Sequence, residues 1–136
     1  MILVDSSVWS LAFRRRRKDL NPEERLITFE LRDLIVSGET CLIGPIRQEV
    51  LSGLHSEEEF RDLRTQLDFH PGLALTDDVW DLAAEYFNLC RSRGISPDAI
   101  DMTICAAAHT HNTPIFTTDP DFKRYARHLP ITLHHA

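Results

Sequence analysis

The run Ile100–Asp101–Met102–Thr103–Ile104–Cys105–Ala106–Ala107–Ala108–His109 decides how the rest of the chain reads. Its apolar residues are small and almost continuous, which suits a helix packed closely against a sheet rather than one lying half in solvent. Ser96–Pro97 just upstream predicts the helix start. A hydroxyl there caps the free amides, and proline at the first helical position loses no hydrogen bond. Asp101 then falls in the first turn of a mostly buried helix, where an ionised carboxylate needs a compensating partner. An acid held at that cost marks a candidate site.

On either side of this run, short apolar stretches alternate with helical patterns. Ile2–Val4 predicts a buried strand ending at Asp5, and Ser6 or Ser7 caps a helix through Phe13. After the basic run Arg14–Lys18, Asn21–Pro22–Glu23–Glu24 opens a helix whose Ile27, Leu31, Leu34 and Ile35 share one face, ended by Gly38. Thr40–Ile43 predicts a second strand, and Gly44–Pro45 opens a helix to about Leu54. Helices follow from Ser56 and from Thr76, with a weak strand at Leu73–Leu75 between them. Beyond the Asp101 helix, Ile115–Thr117 and Ile131–Leu133 predict strands, and Thr118–Phe122 turns into a short helix. This alternation predicts an α/β fold with a mainly parallel sheet of about four to five short strands, covered on both faces. No linker or repeat interrupts 1–136, so one domain is expected.

Composition narrows the class. Apolar residues make up 43% and charged residues 26% of the chain, a globular balance. No stretch approaches the ~20 apolar residues of a membrane span. Met1–Ser7 enters an apolar run with no basic region or cleavage site, so no secretory signal is expected. Cys41, Cys90 and Cys105 are odd in number, form no C-x-x-C pair and sit in apolar contexts, which predicts reduced core thiols in a cytoplasmic protein. The net charge of −6 argues against nucleic-acid binding through a general field. Contact with nucleic acid then requires a local basic patch, or metal ions that neutralise a cluster of acids.

Ligand sites in open parallel sheets lie beyond the carboxyl ends of the strands. Asp5 follows the first strand, Asp119 follows Ile115–Thr117, Glu49 lies in the helix after the second strand, and Asp101 begins its own helix. Four acids from four segments thus converge on one edge. Gathering like charges raises each neighbour's pKa. Hard divalent cations such as Mg²⁺ or Mn²⁺ remove that repulsion and prefer oxygen ligands.

Four segments carry a family likeness: Ile-Leu-Val-Asp-Ser-Ser at 2–7, Gln-Glu-Val-Leu-Ser-Gly at 48–53, Asp-Met-Thr-Ile-Cys-Ala-Ala at 101–107 and Phe-Thr-Thr-Asp-Pro-Asp-Phe at 116–122. In this order and spacing the chain resembles PIN domains, and more narrowly the VapC-type toxins of bacterial and archaeal toxin–antitoxin pairs. The resemblance implies a PIN-like three-layer α/β/α sandwich. It also implies a Mg²⁺- or Mn²⁺-dependent endoribonuclease, restrained by a small antitoxin and commonly a homodimer, with tRNA or rRNA as the class of substrate. Asp5, Glu49, Asp101 and Asp119 correspond to the family's acidic quartet. Ser6 matches the hydroxyl residue after the first acid, and Thr117 or Thr118 the one before the last. Cys105 stands where many relatives have alanine.

For phosphodiester hydrolysis, Asp5 and Asp101 are the expected direct metal ligands, and Asp119 a direct or water-mediated one. Glu49 acts through water or orients the nucleophile. With no histidine base in the pattern, a metal-activated water is the expected nucleophile. The same residues have plainer readings. Asp5 suits a helix cap, Asp101 and Asp98 suit a first helical turn, Glu49 suits a solvated helix face, and Asp119 and Asp121 suit turns around Pro120. Arg14–Lys18 reads equally as a solvated loop or as a grip on phosphates or an acidic partner. A haloacid-dehalogenase-like phosphatase also places Asp after the first strand, but needs a second Asp where Ser7 stands. The other class to weigh is a catalytically silent PIN-like module that binds RNA or a protein.

Overall fold

A computed structural model describes all 136 residues, Met1–Ala136. Strand β1 (Ile2–Val4) lies between β2 (Thr40–Cys41) and β3 (Ile115–Phe116), and both pairings are parallel. Ile2 faces Thr40, Leu3 faces both Cys41 and Ile115, and Val4 faces Phe116. A central strand buried on both faces has no polar side, which is why Ile2, Leu3 and Val4 run apolar without alternation.

The sheet has three strands where four to five were expected. Leu73–Leu75 and Ile131–Leu133 do not become strands: Gly72, just before the first, makes one isolated bridge to Leu42, and Leu133 makes one to Ile115. A bridge satisfies the edge backbone locally: Leu73 N–H donates to the Leu42 carbonyl and His134 N–H to the Ile115 carbonyl, each at 2.8 Å. The chain then leaves before a ladder forms.

Helices cover the sheet in an α/β/α arrangement: α1 (Ser6–Phe13), α2 (Pro22–Val36), α3 (Gly44–Leu51), α4 (Glu57–Leu67), α5 (Asp77–Ser92), α6 (Ala99–Thr110) and α7 (Asp121–Tyr125). A short 3₁₀ turn, Arg17–Asp19, follows α1. The start of α2 is a full capping box, with Asn21 Oδ1 accepting from Glu24 N–H at 2.8 Å and Glu24 Oε1 accepting from Asn21 N–H at 3.1 Å. It ends at Gly38, whose φ of +70° is a left-handed stop. Helix α3 stops at Leu51 rather than Leu54, because the chain turns extended at Ser52 and left-handed at Gly53.

Arg14 closes that end of α3. Its guanidinium donates to the carbonyls of Val50, at 2.7 Å, and Ser52, a cation placed at the negative end of the helix dipole. The first residue of the basic run is therefore a structural cap.

Helix α6 begins two residues later than Ser96–Pro97 suggests. Asp98 is its N-cap, with Oδ1 accepting from Asp101 N–H at 3.0 Å, and Pro97 precedes the cap. Both a serine and an aspartate can cap, and the nearer carboxylate takes the amide. Met102 through Ala108 are all buried. With α5 packed alongside, they join a contiguous core that includes fully buried Trp9, whose Nε1–H donates to the Val4 carbonyl at 3.1 Å. All three cysteines are buried and free. No helix is long and apolar enough to cross a membrane.

Candidate active site

Asp5 stands at the end of the central strand, and its N–H still donates to the Phe116 carbonyl at 2.8 Å. The sheet thus fixes the backbone up to the point where the carboxylate emerges. Asp5 is 6% exposed, and its side chain does not cap α1. Oδ2 instead accepts from Ser7 Oγ and Thr117 Oγ1, both at 2.8 Å. Those hydroxyls reach onward: Thr117 Oγ1 accepts from Asp119 N–H and Ser7 Oγ from Thr118 N–H, each at 3.0 Å. The first acid and the loop after β3 form one hydrogen-bonded unit. The hydroxyl that engages Asp5 is Ser7, not Ser6, and Thr117 rather than Thr118.

Asp101 enters from α6. Because Asp98 does the capping, its carboxylate is free of helix duties, and Oδ2 accepts a hydrogen bond from Tyr125 Oη at 2.9 Å. Burial raises its pKa from an ordinary 3.8 to about 7. The Tyr125 hydroxyl pulls the other way, while the charges of Asp98, Asp119 and Asp5 add to the rise. Tyr125 is itself pushed far above the usual phenol range by its own burial and by the bond to Asp101.

Carboxylate oxygens of Asp101, Asp119 and Asp121 lie within 4.8 Å of one another. Asp121 N–H donates to Asp119 Oδ1 at 2.9 Å, and Asp121 pairs with Arg124 on the next turn of α7. Asp5 faces this trio closely enough to raise the pKa of Asp101. Glu49 is not drawn into it: it lies exposed on α3, and its carboxylate makes no hydrogen bond. The donor set is carboxylate oxygen throughout, without histidine or cysteine, and it is crowded with like charge. Both features fit a hard divalent cation.

The family profile of the PIN domain matches residues 2–128. This chain belongs to the PIN domain family. No curated protein matches it in sequence. Among solved structures, the PIN domain is similar to FitAcB from Neisseria gonorrhoeae, at 20% identity and TM-score 0.70, covering 99% of this chain and 97% of that one. VapBC2 from Rickettsia felis, bound to a DNA fragment from its promoter, aligns at 16% identity and TM-score 0.73 over 98% of each chain. A toxin–antitoxin complex from Klebsiella pneumoniae aligns at 16% identity and TM-score 0.71 over 90% of each. At these identities the likeness establishes the shared fold.

Of the four acids singled out in the sequence, Asp101 and Asp119 share one carboxylate group and Asp5 lies near enough to raise the pKa of Asp101, while Glu49 stands exposed on α3 outside that group. The PIN fold adds Asp121, which in the sequence reads only as a turn residue beside Pro120, and Tyr125, which carried no expectation there. A signal for Tyr125 was present: a tyrosine on the apolar face of a short helix needs a partner for its hydroxyl, and that helix starts from the acidic turn.

Proposed function

We propose that this PIN domain is a divalent-metal-dependent endoribonuclease, the VapC-type toxin of a toxin–antitoxin pair. The observation that supports this reading is the all-oxygen cluster of Asp101, Asp119 and Asp121, with Asp5 near enough to raise the pKa of Asp101. Asp101, Asp119 and Asp121, with Asp5 beside them, would hold Mg²⁺ or Mn²⁺, and Glu49 would act through water from α3. When bound, the cation supplies a lowered pKa for water, charge neutralisation at the phosphate and stabilisation of the leaving oxygen.

The chain's own residues do the positioning. Ser7 and Thr117 fix the Asp5 carboxylate, leaving its Oδ1 unengaged. Tyr125 fixes Asp101, which must give up its proton near neutral pH for the cluster to reach full negative charge. Thr117 holds the Asp119 backbone, so the last acid moves with the first. A silent binding module has no need of this arrangement. The toxin–antitoxin complex from Klebsiella pneumoniae supports a small antitoxin as partner. A homodimer in the cytoplasm, acting on tRNA or rRNA, completes the reading.

The test is cleavage of total cellular RNA by the purified chain with Mn²⁺ or Mg²⁺, with chelator, and with Asp5→Asn, mapping new RNA ends by sequencing. Discrete ends that need both metal and Asp5 are expected. Ends that persist in chelator or in Asp5→Asn would overturn the assignment.

A further inference from the structure

The chain is acidic, yet its charge is unevenly spread. Seven of its fifteen Lys and Arg, against four of its twenty-one Asp and Glu, fall between residues 14 and 32. Arg14 is committed to α3, but four of the others border an open groove of about 400 Å³ between the end of α1 and α2. Arg15, Arg17, Arg25 and Arg32 rim it over an apolar floor that includes Leu26 and Phe29, which are 67% and 59% exposed. Arg25, Phe29 and Arg32 follow at i, i+4 and i+7, which sets cation, aromatic ring and cation along one helix face.

This groove leads to the acids. It shares Leu11 and Arg15 with a second cavity of about 450 Å³ that passes Ser7 and Ser10 to Thr118. That cavity in turn shares Glu23, Ile27 and Thr118 with a third, of about 320 Å³, which Asp119 lines. Three adjoining cavities thus link Arg32 to Asp119 through shared lining residues. Glu24, on the way, is already neutralised by Arg15 at 2.8 Å.

We propose that this groove is the path of the RNA strand on one side of the scissile phosphate, with Arg25 and Arg32 on its phosphates and Phe29 under a base. Single strands are gripped by basic grooves with interleaved aromatic rings, because every base has a face that stacks. A strand seated there runs directly to the acids where a phosphate is cut. The inference rests on the ribonuclease reading and adds the residues that hold its substrate. It also accounts for two large apolar side chains left in solvent beside four arginines.

The test is fluorescence anisotropy of a short, fluorescein-labelled single-stranded RNA of mixed sequence, in chelator and across a range of salt. Arg25→Ala and Arg32→Ala should each weaken binding several-fold and flatten the log–log salt slope by about 0.7. Phe29→Ala should weaken it about tenfold at unchanged slope, the size of one lost stacking contact. Arg93→Ala, outside the three cavities, should change nothing. All these side chains are exposed, and unaltered melting curves would verify folding. Unchanged affinity and slope in the Arg25, Phe29 and Arg32 variants would overturn the proposal, while mapped, metal-dependent cleavage would leave the nuclease standing. The same holds if the variants keep RNA but release a copurifying protein, since the groove then serves that partner. A wild-type chain that neither binds nor cuts RNA would remove both readings.

Discussion

Asp5 and Asp101 are both withdrawn from water, and they meet different surroundings. Two hydroxyls support Asp5, whereas Asp101 has one, from Tyr125, set against three nearby negative charges. Asp101 therefore takes up a proton more readily folded than unfolded. Its contribution to stability is full below pH 4 and is lost as the pH climbs through 7. Asp101→Asn should accordingly melt higher than wild type at pH 8 in chelator, converge with it near pH 4, and lose cleavage. Thermal melts across that range check it. Tyr125→Phe removes the one bond that lowers the pKa of Asp101, so the pH midpoint of Mn²⁺ binding should move upward, at a stability loss of about 1 kcal/mol. The acids themselves were legible in the sequence because each follows a strand or opens a helix. Their supporting hydroxyls were not, because Ser7 meets Thr117 only once β1 and β3 are paired.

At the scale of elements, a signal completed within a few residues reads closely, to within two residues at the start of α6, whereas one that needs a distant partner does not. The capping box at Asn21 lies wholly within four residues, and it forms. Asn21→Ala should cost about 1 kcal/mol, seen as a lower denaturation midpoint at unchanged slope. Leu73–Leu75 and Ile131–Leu133 have strand-like composition, but whether they extend the sheet depends on backbone partners contributed from far along the chain. Arg14 makes the same point with a cation. In the sequence it is one of five in a row, while in the fold its side chain binds the end carbonyls of a helix thirty-odd residues away. Arg14→Ala should destabilise the chain by about 1–2 kcal/mol, more than Arg16→Ala, in parallel urea titrations.

For the molecule as a whole, a cluster of carboxylates held together without a cation opposes folding, and a bound cation relieves it. Mn²⁺ should therefore raise the melting temperature, by about 2.7 kcal/mol of stabilisation at a free concentration about a hundred times its dissociation constant. The gain should be larger at pH 8 than at pH 6, where protons compete for Asp101. Calorimetric titration of Mn²⁺ into wild type, Asp101→Asn and Arg93→Ala at pH 8 bears most directly on the site. Binding by wild type and Arg93→Ala, with Asp101→Asn weaker by at least about tenfold, is the predicted result. Equal binding by all three, or binding by none, would contradict a metal centre built on these acids.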